Sequence, residues 1–370
     1  MLQRLAISRP RLPREIAILL AAAGLATASI AIAWLSGPAE QGYFDSAFYL
    51  DGARHIARGD GYVSAYVEPG RADYEPITHW APGTSVLIAV VTWFGASPLT
   101  AAAIVLGGCY VGAVLLVFVL GVELAGSRFW PASLLVSLLF ALQPSTLVWL
   151  DAVLSDLPGA TFALLNVWLA LRVMRAAQPS LWLRVAWGLC IVWLDLIRYA
   201  GLLFVPGLLV ATVLGMHVRR PLWARAWLLW PSVVTAGLGV AAWNLRNQRV
   251  AEKPLGGWTF VDSEVSQHVV RAGRAAFIWV DELMQEAARL GVEMPVRVLL
   301  CLAAVSLIPL AVVSARAAWR EASLVALTAC GYYALMVLTA SVTLIASLNE
   351  TRFWVAVWPM DFLIVLIAIA

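Results

Sequence analysis

The sequence predicts an all-α, polytopic membrane protein forming a single domain over 1–370, and three observations carry that prediction. Hydrophobic residues make up 62% of the 370 and charged residues 13%, whereas a soluble chain has about a quarter charged. The apolar residues fall into runs of roughly 20, the length that crosses a bilayer core. Tryptophan is abundant, and Trp34, Trp130, Trp149, Trp243 and Trp354 stand near the ends of apolar runs, as in the aromatic belt of a membrane interface.

The first element follows Arg4, Arg9, Arg11 and Arg14 and runs from Ile16 to Trp34. It is long for a signal-peptide core, and no clean cleavage site follows, so it reads as an uncleaved first span. About ten runs qualify as spans: 15–36, 100–124, 129–149, 157–175, 181–197, 199–217, 222–243, 296–315, 322–347 and 353–370. A further run, 82–96, is short and bounded by Pro82-Gly83 and by Gly95 to Pro98.

Charge decides how to treat 82–96. If it does not cross and the N-terminus is cytoplasmic, the cytoplasmic segments hold Arg4, Arg9, Arg11, Arg14, Arg128, Arg172, Arg175, Arg184, Arg219, Arg220, Arg225, Arg316 and Arg320. Against these stand only Glu15, Glu123 and Glu321. The other face takes most of the acids, among them Asp45, Asp51, Asp60, Glu75, Asp151, Asp156 and Glu350. That satisfies the positive-inside rule. Crossing at 82–96 would put the arginine-rich turns outside. The segment is therefore expected to be a juxtamembrane helix on the outer surface, within an outer loop at 37–99; a second large outer loop is expected at 244–295.

The same composition excludes other classes. Net charge is only +3 and Lys253 is the sole lysine, which argues against a nucleic-acid surface. Cys109, Cys190, Cys301 and Cys330 all lie in apolar runs without metal-ligand spacing or a disulfide framework.

The chemically varied residues lie on the outer face, so a site is expected to open outward. The first outer loop contains Asp45, Tyr49 and Asp51, then Gly61-Tyr62, and later Glu75, His79, Trp80, Ala81, Pro82 and Gly83. Tyr49, Ala53 and Ile56 share one helical face, with Asp45 at the mouth of the helix. A carboxylate held there can take a proton from a hydroxyl nucleophile; the structural alternative is an N-cap. Glu75 and His79 would share a face of a helix, but Pro76 and the Pro82-Gly83 turn argue against a regular helix, and a Glu–His pair is only half of a metal site. Asp195 and Arg198 are three apart, which suits a helical ion pair. Arg246 and Arg249 suit interfacial snorkelling.

This arrangement resembles the GT-C superfamily of membrane glycosyltransferases, which includes protein O-mannosyltransferases, aminoarabinose transferases acting on lipid A, and bacterial dolichyl-phosphate-mannose-type transferases. The order Asp45, Tyr49, Gly61-Tyr62, His79 to Gly83 is similar to that family's first outer loop, with Ala81 where a second proline is common. Leu154 to Pro158, Ile197 to Gly201 with Pro206, Trp243 to Asn247, and Glu350 to Phe353 with Pro359 resemble later family elements. The resemblance runs from about residue 15 to 362.

It implies a polyprenyl-phosphate-linked sugar donor, whose isoprenoid tail lies in the bilayer while its sugar phosphate reaches water. It also implies an acceptor that is lipid, protein or glycan. Asp45 would be the general base in an inverting displacement, and Asp156 a second acid holding acceptor or donor sugar. His79, Tyr49, Arg352, Arg246 and Glu350 would bind substrate or phosphate, because a leaving phosphate needs positive charge or hydrogen-bond donors; Arg352 is the first choice. The resemblance fixes no cofactor, and a divalent metal at Glu75 and His79 is the secondary option. The implied setting is a bacterial cytoplasmic membrane with the site facing outward. A lipid or sugar-lipid transporter would also explain the spans and the intramembrane Asp361, but predicts matched broken helices in two halves. A ligase or polymerase of lipid-linked glycans would place its main loop late, and a non-catalytic sugar-lipid binder would need neither acid.

Overall fold

A computed structural model describes residues 14–36, 44–65, 74–216, 221–252 and 324–332, with isolated positions 335, 360, 363, 366 and 367. The described chain is overwhelmingly helical. Helix α1 spans Arg14–Leu35 and α2 Phe44–Arg58. A minimal antiparallel pair follows, β1 Val63–Ser64 and β2 Glu75–Pro76, in the register Val63↔Pro76 and Ser64↔Glu75. Helix α3 is Gly83–Trp93. At about 1.5 Å per residue it is far too short to cross a bilayer core.

Helix α4, Pro98–Ala125, starts where the sequence says it should. The Ser97 side chain accepts from the Thr100 N–H, and Pro98 fills the first turn, which needs no amide donor there. Gly126, at φ 93°, ends it in a conformation only glycine adopts cheaply. Next come α5 Trp130–Leu142, α6 Pro144–Asp151 and α7 Asp156–Arg175. Helix α8 is Leu181–Ile197, capped by Ser180. A 3-10 segment, Tyr199–Phe204, leads into α9 Val205–Gly215. Helices α10 Leu222–Leu228 and α11 Trp230–Ala251 come next, and residues 324–332 are helical.

By length and composition α1, α4 and α7 can each cross a membrane, and α10 with α11 makes a fourth span if the 52° bend between them is counted as one broken helix. Several expected spans are therefore interrupted. The run 129–149 breaks at Gln143, whose extended backbone precedes Pro144, because a residue before proline disfavours the helical region. The run 199–217 begins as a 3-10 segment, and 222–243 bends at Leu229 just before Pro231. The outer loop expected from 244 starts later, since α11 continues to Ala251. The expected spans 296–315, 322–347 and 353–370 lie outside the described residues except for the pieces named above.

The outward surface is apolar: Leu19, Leu20, Ile104, Leu135, Leu139, Leu189, Val210 and Leu238 are all exposed, as lipid-facing side chains are. Inside, α4 runs through the middle, burying Leu106, Tyr110, Val114, Val117 and Phe118 against α1, α5 and α7. Helix α8 packs chiefly on α11 and α7. Polar contacts gather at the two ends of the bundle. At one end the α2–α3 loop meets the start of α7 and the ends of α8 and α11. At the other, Glu123 on α4 meets Arg172 and Arg175 on α7.

Candidate functional site

The described part of the segment between α1 and α4 is a folded cap, tied at several points. The Tyr62 hydroxyl donates to the carbonyls of Trp80 and Ala81 at 3.2 and 3.4 Å, so Gly61-Tyr62 fixes the turn that carries His79. Ser85 donates to the Tyr49 carbonyl at 3.0 Å, and the Trp93 indole donates to the Ala57 carbonyl at 3.0 Å. These bonds hold α3 along α2. Gly83 brings α3 onto α8: a Cβ there would sit 2.7 Å from the Leu196 carbonyl oxygen and 2.8 Å from the Ile197 nitrogen.

The cap is then stapled to α11. Arg246 donates to the Ile77 carbonyl at 2.9 Å, to the Tyr62 carbonyl at 3.2 Å and to Asn247 Oδ1 at 3.0 Å. Its guanidinium also lies 4.8 Å from the centroid of the Trp243 ring. The Tyr199 hydroxyl donates to the Thr78 carbonyl at 2.9 Å and accepts from Trp243 Nε1 at 3.0 Å. Arg246, expected as a phosphate ligand, thus has its guanidinium engaged in holding the cap.

Beneath the cap, three distant segments converge. Asp45 is the second residue of α2, inside its first turn and half-buried, rather than in the N-cap position ahead of it. One turn on, Tyr49 is buried, shares a hydrogen bond with Ser155 and feels the charges of Asp45, Arg198 and Asp156. Burial pushes its phenol well above the ordinary tyrosine value, opposed by the Ser155 bond and reinforced by Asp45, so it remains a neutral hydrogen-bonding group. Asp156 opens α7 at 2% exposure and is ion-paired with Arg198. Tyr332, stacked on Phe204 at 4.0 Å, lies close enough to feel both charges of that pair.

This corrects the expected Asp195–Arg198 pair. Helix α8 ends at Ile197 and Arg198 is extended at φ −154°, which swings its side chain away from Asp195 and across to α7. Asp195 itself is buried.

The two acids consequently occupy opposite environments. Asp45 is part-open at the mouth of a helix. Asp156 is sealed, with its charge neutralised by Arg198 and favoured by the N-terminal dipole of α7. Only a carboxylate that solvent or substrate can reach is placed to accept a proton from an incoming hydroxyl.

Comparison with family models, with curated proteins and with solved structures finds no match to this chain. The functional reading therefore rests on residues and geometry.

The remaining expected site residues scatter. His79 is exposed, with its ring 5.8 Å from that of Trp80. Glu75 is in β2, paired with Ser64, so it and His79 share no helical face. Among the described residues no group of three or more His, Cys, Asp or Glu side chains is disposed to hold a metal ion. Glu350 and Arg352 lie outside the described residues.

Sequence reading missed a second network in the cap. His55 is buried, with Nδ1 2.9 Å from Asp60 Oδ2 and Nε2 3.7 Å from Asp51 Oδ1. Ser64 donates to Asp51 at 2.8 Å, and the Tyr74 ring lies 4.2 Å from the imidazole. The i,i+4 spacing of Asp51 and His55 was the available signal. Ser155 was quoted only as a neighbour of Asp156, and nothing in the sequence singled out Tyr332.

Proposed function

We propose that the protein is a multi-pass membrane glycosyltransferase of GT-C type, working at the outer face of a bacterial cytoplasmic membrane. It moves a sugar from a polyprenyl-phosphate donor to an acceptor hydroxyl, with inversion. The observation that carries the reading is the convergence of Asp45 and Tyr49 with Ser155, Asp156 and Arg198 at the bundle end covered by the first loop. These groups come from separate segments that resemble that family in order.

In this reading Asp45 takes the proton from the acceptor hydroxyl as its oxygen bonds to the anomeric carbon. The bond from that carbon to the phosphate oxygen breaks, and polyprenyl phosphate leaves with the electron pair. Tyr49, neutral and fixed, positions the α2 helix and Asp45 against the Asp156–Arg198 pair. Arg352 is the leading partner for the leaving phosphate, because Arg198 and Arg246 are committed elsewhere. The ten-span topology, with the N-terminus in the cytoplasm, belongs to the same proposal.

A transporter is the second reading, favoured by the helix breaks at Gln143, at Tyr199–Phe204 and at Leu229. Transporters use such breaks to bind substrate at mid-membrane.

The deciding experiment supplies purified protein in nanodiscs with radiolabelled polyprenyl-phosphate sugars and a membrane extract as acceptor, beside an Asp45→Asn variant of matched stability. Loss of transfer in Asp45→Asn is the expected result. Retained transfer in the variant removes Asp45 as base. No transfer or donor hydrolysis with any such donor turns the assignment toward transport.

A further inference from the structure

Helices α8 and α11 start together at the end of the bundle away from the cap. The Ser232 hydroxyl donates to the Arg184 carbonyl at 2.7 Å, and Arg184 Nη1 donates to the Leu228 carbonyl at 3.1 Å. The turn between α10 and α11 therefore stands level with the first turn of α8. That level leaves α10 nothing to cross. Helix α11 has 22 residues and rises about 33 Å at about 1.5 Å per residue, against a hydrocarbon core of about 30 Å. Helix α10 instead leaves its axis at 52° and packs on the end of α9, where Arg225 Nη1 reaches the Leu214 carbonyl at 3.4 Å.

The two faces of α10 differ. Leu222, Trp223, Ala226 and Trp227 are exposed, and Trp230 continues the row, at the spacing of one helical stripe. Ala224, Arg225 and Leu228 are half-buried and Leu229 is buried. The exposed row holds no charged residue. Trp223 and Trp227 are 74% and 68% exposed, and Trp227 stacks on Trp230 with ring centroids 5.5 Å apart. Trp182, at the start of α8, is 80% exposed at the same level.

Position identifies the partner. The row adjoins exposed Leu214 on α9 and Val233 on α11, so it continues the apolar surface that the bundle turns to lipid. It lies where the helices end, at the depth where an indole can keep its ring in the acyl edge and its N–H near water. We infer that α10 and the first turn of α11 are an interfacial foot, seated in the headgroup–acyl boundary of the leaflet opposite the cap through Leu222, Trp223, Trp227 and Trp230. Its partner is the lipid surface. The foot is independent of the glycosyl-transfer reading, and it fixes the depth of the rod that carries Arg246 at its other end.

The test uses full-length, cysteine-free protein in liposomes, with one nitroxide-labelled cysteine at a time. Trp223→Cys and Ala226→Cys report on the foot, Ser127→Cys on an exposed turn after α4, and Leu238→Cys on a lipid-facing position two turns into α11. Each label's collisions with oxygen and with a water-soluble nickel chelate give its depth. Trp223→Cys and Ala226→Cys should favour oxygen and read about 5–10 Å below the phosphates, shallower than Leu238→Cys, while Ser127→Cys stays open to the chelate. Chelate access at the two foot positions equal to that at Ser127→Cys overturns the inference by placing α10 in water. A depth equal to that of Leu238→Cys overturns it by placing α10 within the core. Protection from both probes overturns it by showing a protein cover, such as a second copy of this chain. If Trp223→Cys fails to fold, Ala226→Cys, the smaller change on the same face, decides by the same three criteria.

Discussion

The Asp156–Arg198 pair offers the sharpest quantitative test of the fold beneath the cap. Asp156 is 2% exposed and the Arg198 side chain 13% exposed, so removing either partner breaks an ion pair where solvent compensates poorly for its loss. Losing one member of a buried pair costs about 3–5 kcal/mol. The two single variants should differ. Arg198→Met leaves Asp156 at the start of α7, where the helix N-terminus returns about 0.3–1 kcal/mol, so its loss should fall near the lower bound. Asp156→Asn takes from the guanidinium the carboxylate it meets on α7, with no helix terminus to offset the loss, and should fall higher. The double variant, Arg198→Met with Asp156→Asn, removes both charges of the pair and should lose about 2–3 kcal/mol less than the sum of the singles. Unfolding in mixed micelles by SDS titration, followed by tryptophan fluorescence, supplies the four free energies of the cycle. Losses that add to within about 0.5 kcal/mol would show that the two side chains do not depend on one another, and the geometry argued here would fail.

Gly83→Ala should destabilise by about 1–3 kcal/mol through overpacking, because its Cβ meets the α8 backbone at Leu196 and Ile197; the same titration reads it, and a neutral result would place α3 farther from α8. Arg246→Ala removes two bonds from a cation to cap carbonyls, each worth about 1.5–3 kcal/mol. The Ile77 amide, bonded to the Tyr62 carbonyl at 3.1 Å, should then exchange with deuterium faster, and unchanged exchange would remove Arg246 as the staple. For topology, Tyr74→Cys and Ser127→Cys, both at exposed positions, go into a cysteine-free background. An impermeant maleimide on intact cells should label only the first, and the reverse pattern would invert the proposed orientation.

The elements that sequence pattern disclosed best were those bounded by strong local signals. Helix α3 is fenced by Pro82-Gly83 and Gly95, and α4 announces itself with Ser97-Pro98 and ends at Gly126. Asp45 and Tyr49 were legible as a pair because one helical turn separates them. The breaks were harder to see because hydropathy sums over a run and is indifferent to a kink inside it. Pro144, Pro206 and Pro231 were the only signs, and proline in an apolar run marks a helix start as readily as a bend. Arg198 shows how spacing misleads. The three-residue rule for ion pairs holds only while the helix continues, and one extended residue after Ile197 sends the guanidinium to an acid 42 positions earlier. Tyr332 and Ser155 reach the site by long-range packing, to which one-dimensional pattern is blind.

The Arg246 staple has a consequence for the order in which the chain is made. The Tyr62 carbonyl leaves the ribosome 184 residues ahead of the guanidinium that holds it. At synthesis rates of roughly 5–20 residues per second, the first loop waits on the order of 10 to 40 s for its fastening. Over that interval only the bonds within the loop, from Tyr62, Ser85 and Trp93, and then the Asp156–Arg198 link beneath it, keep the nascent cap in shape. The chain thus fastens the cap over its most chemically varied region only after α4 to α10 have been made, and a ribosome stalled before α11 would leave that cap assembled but unlatched.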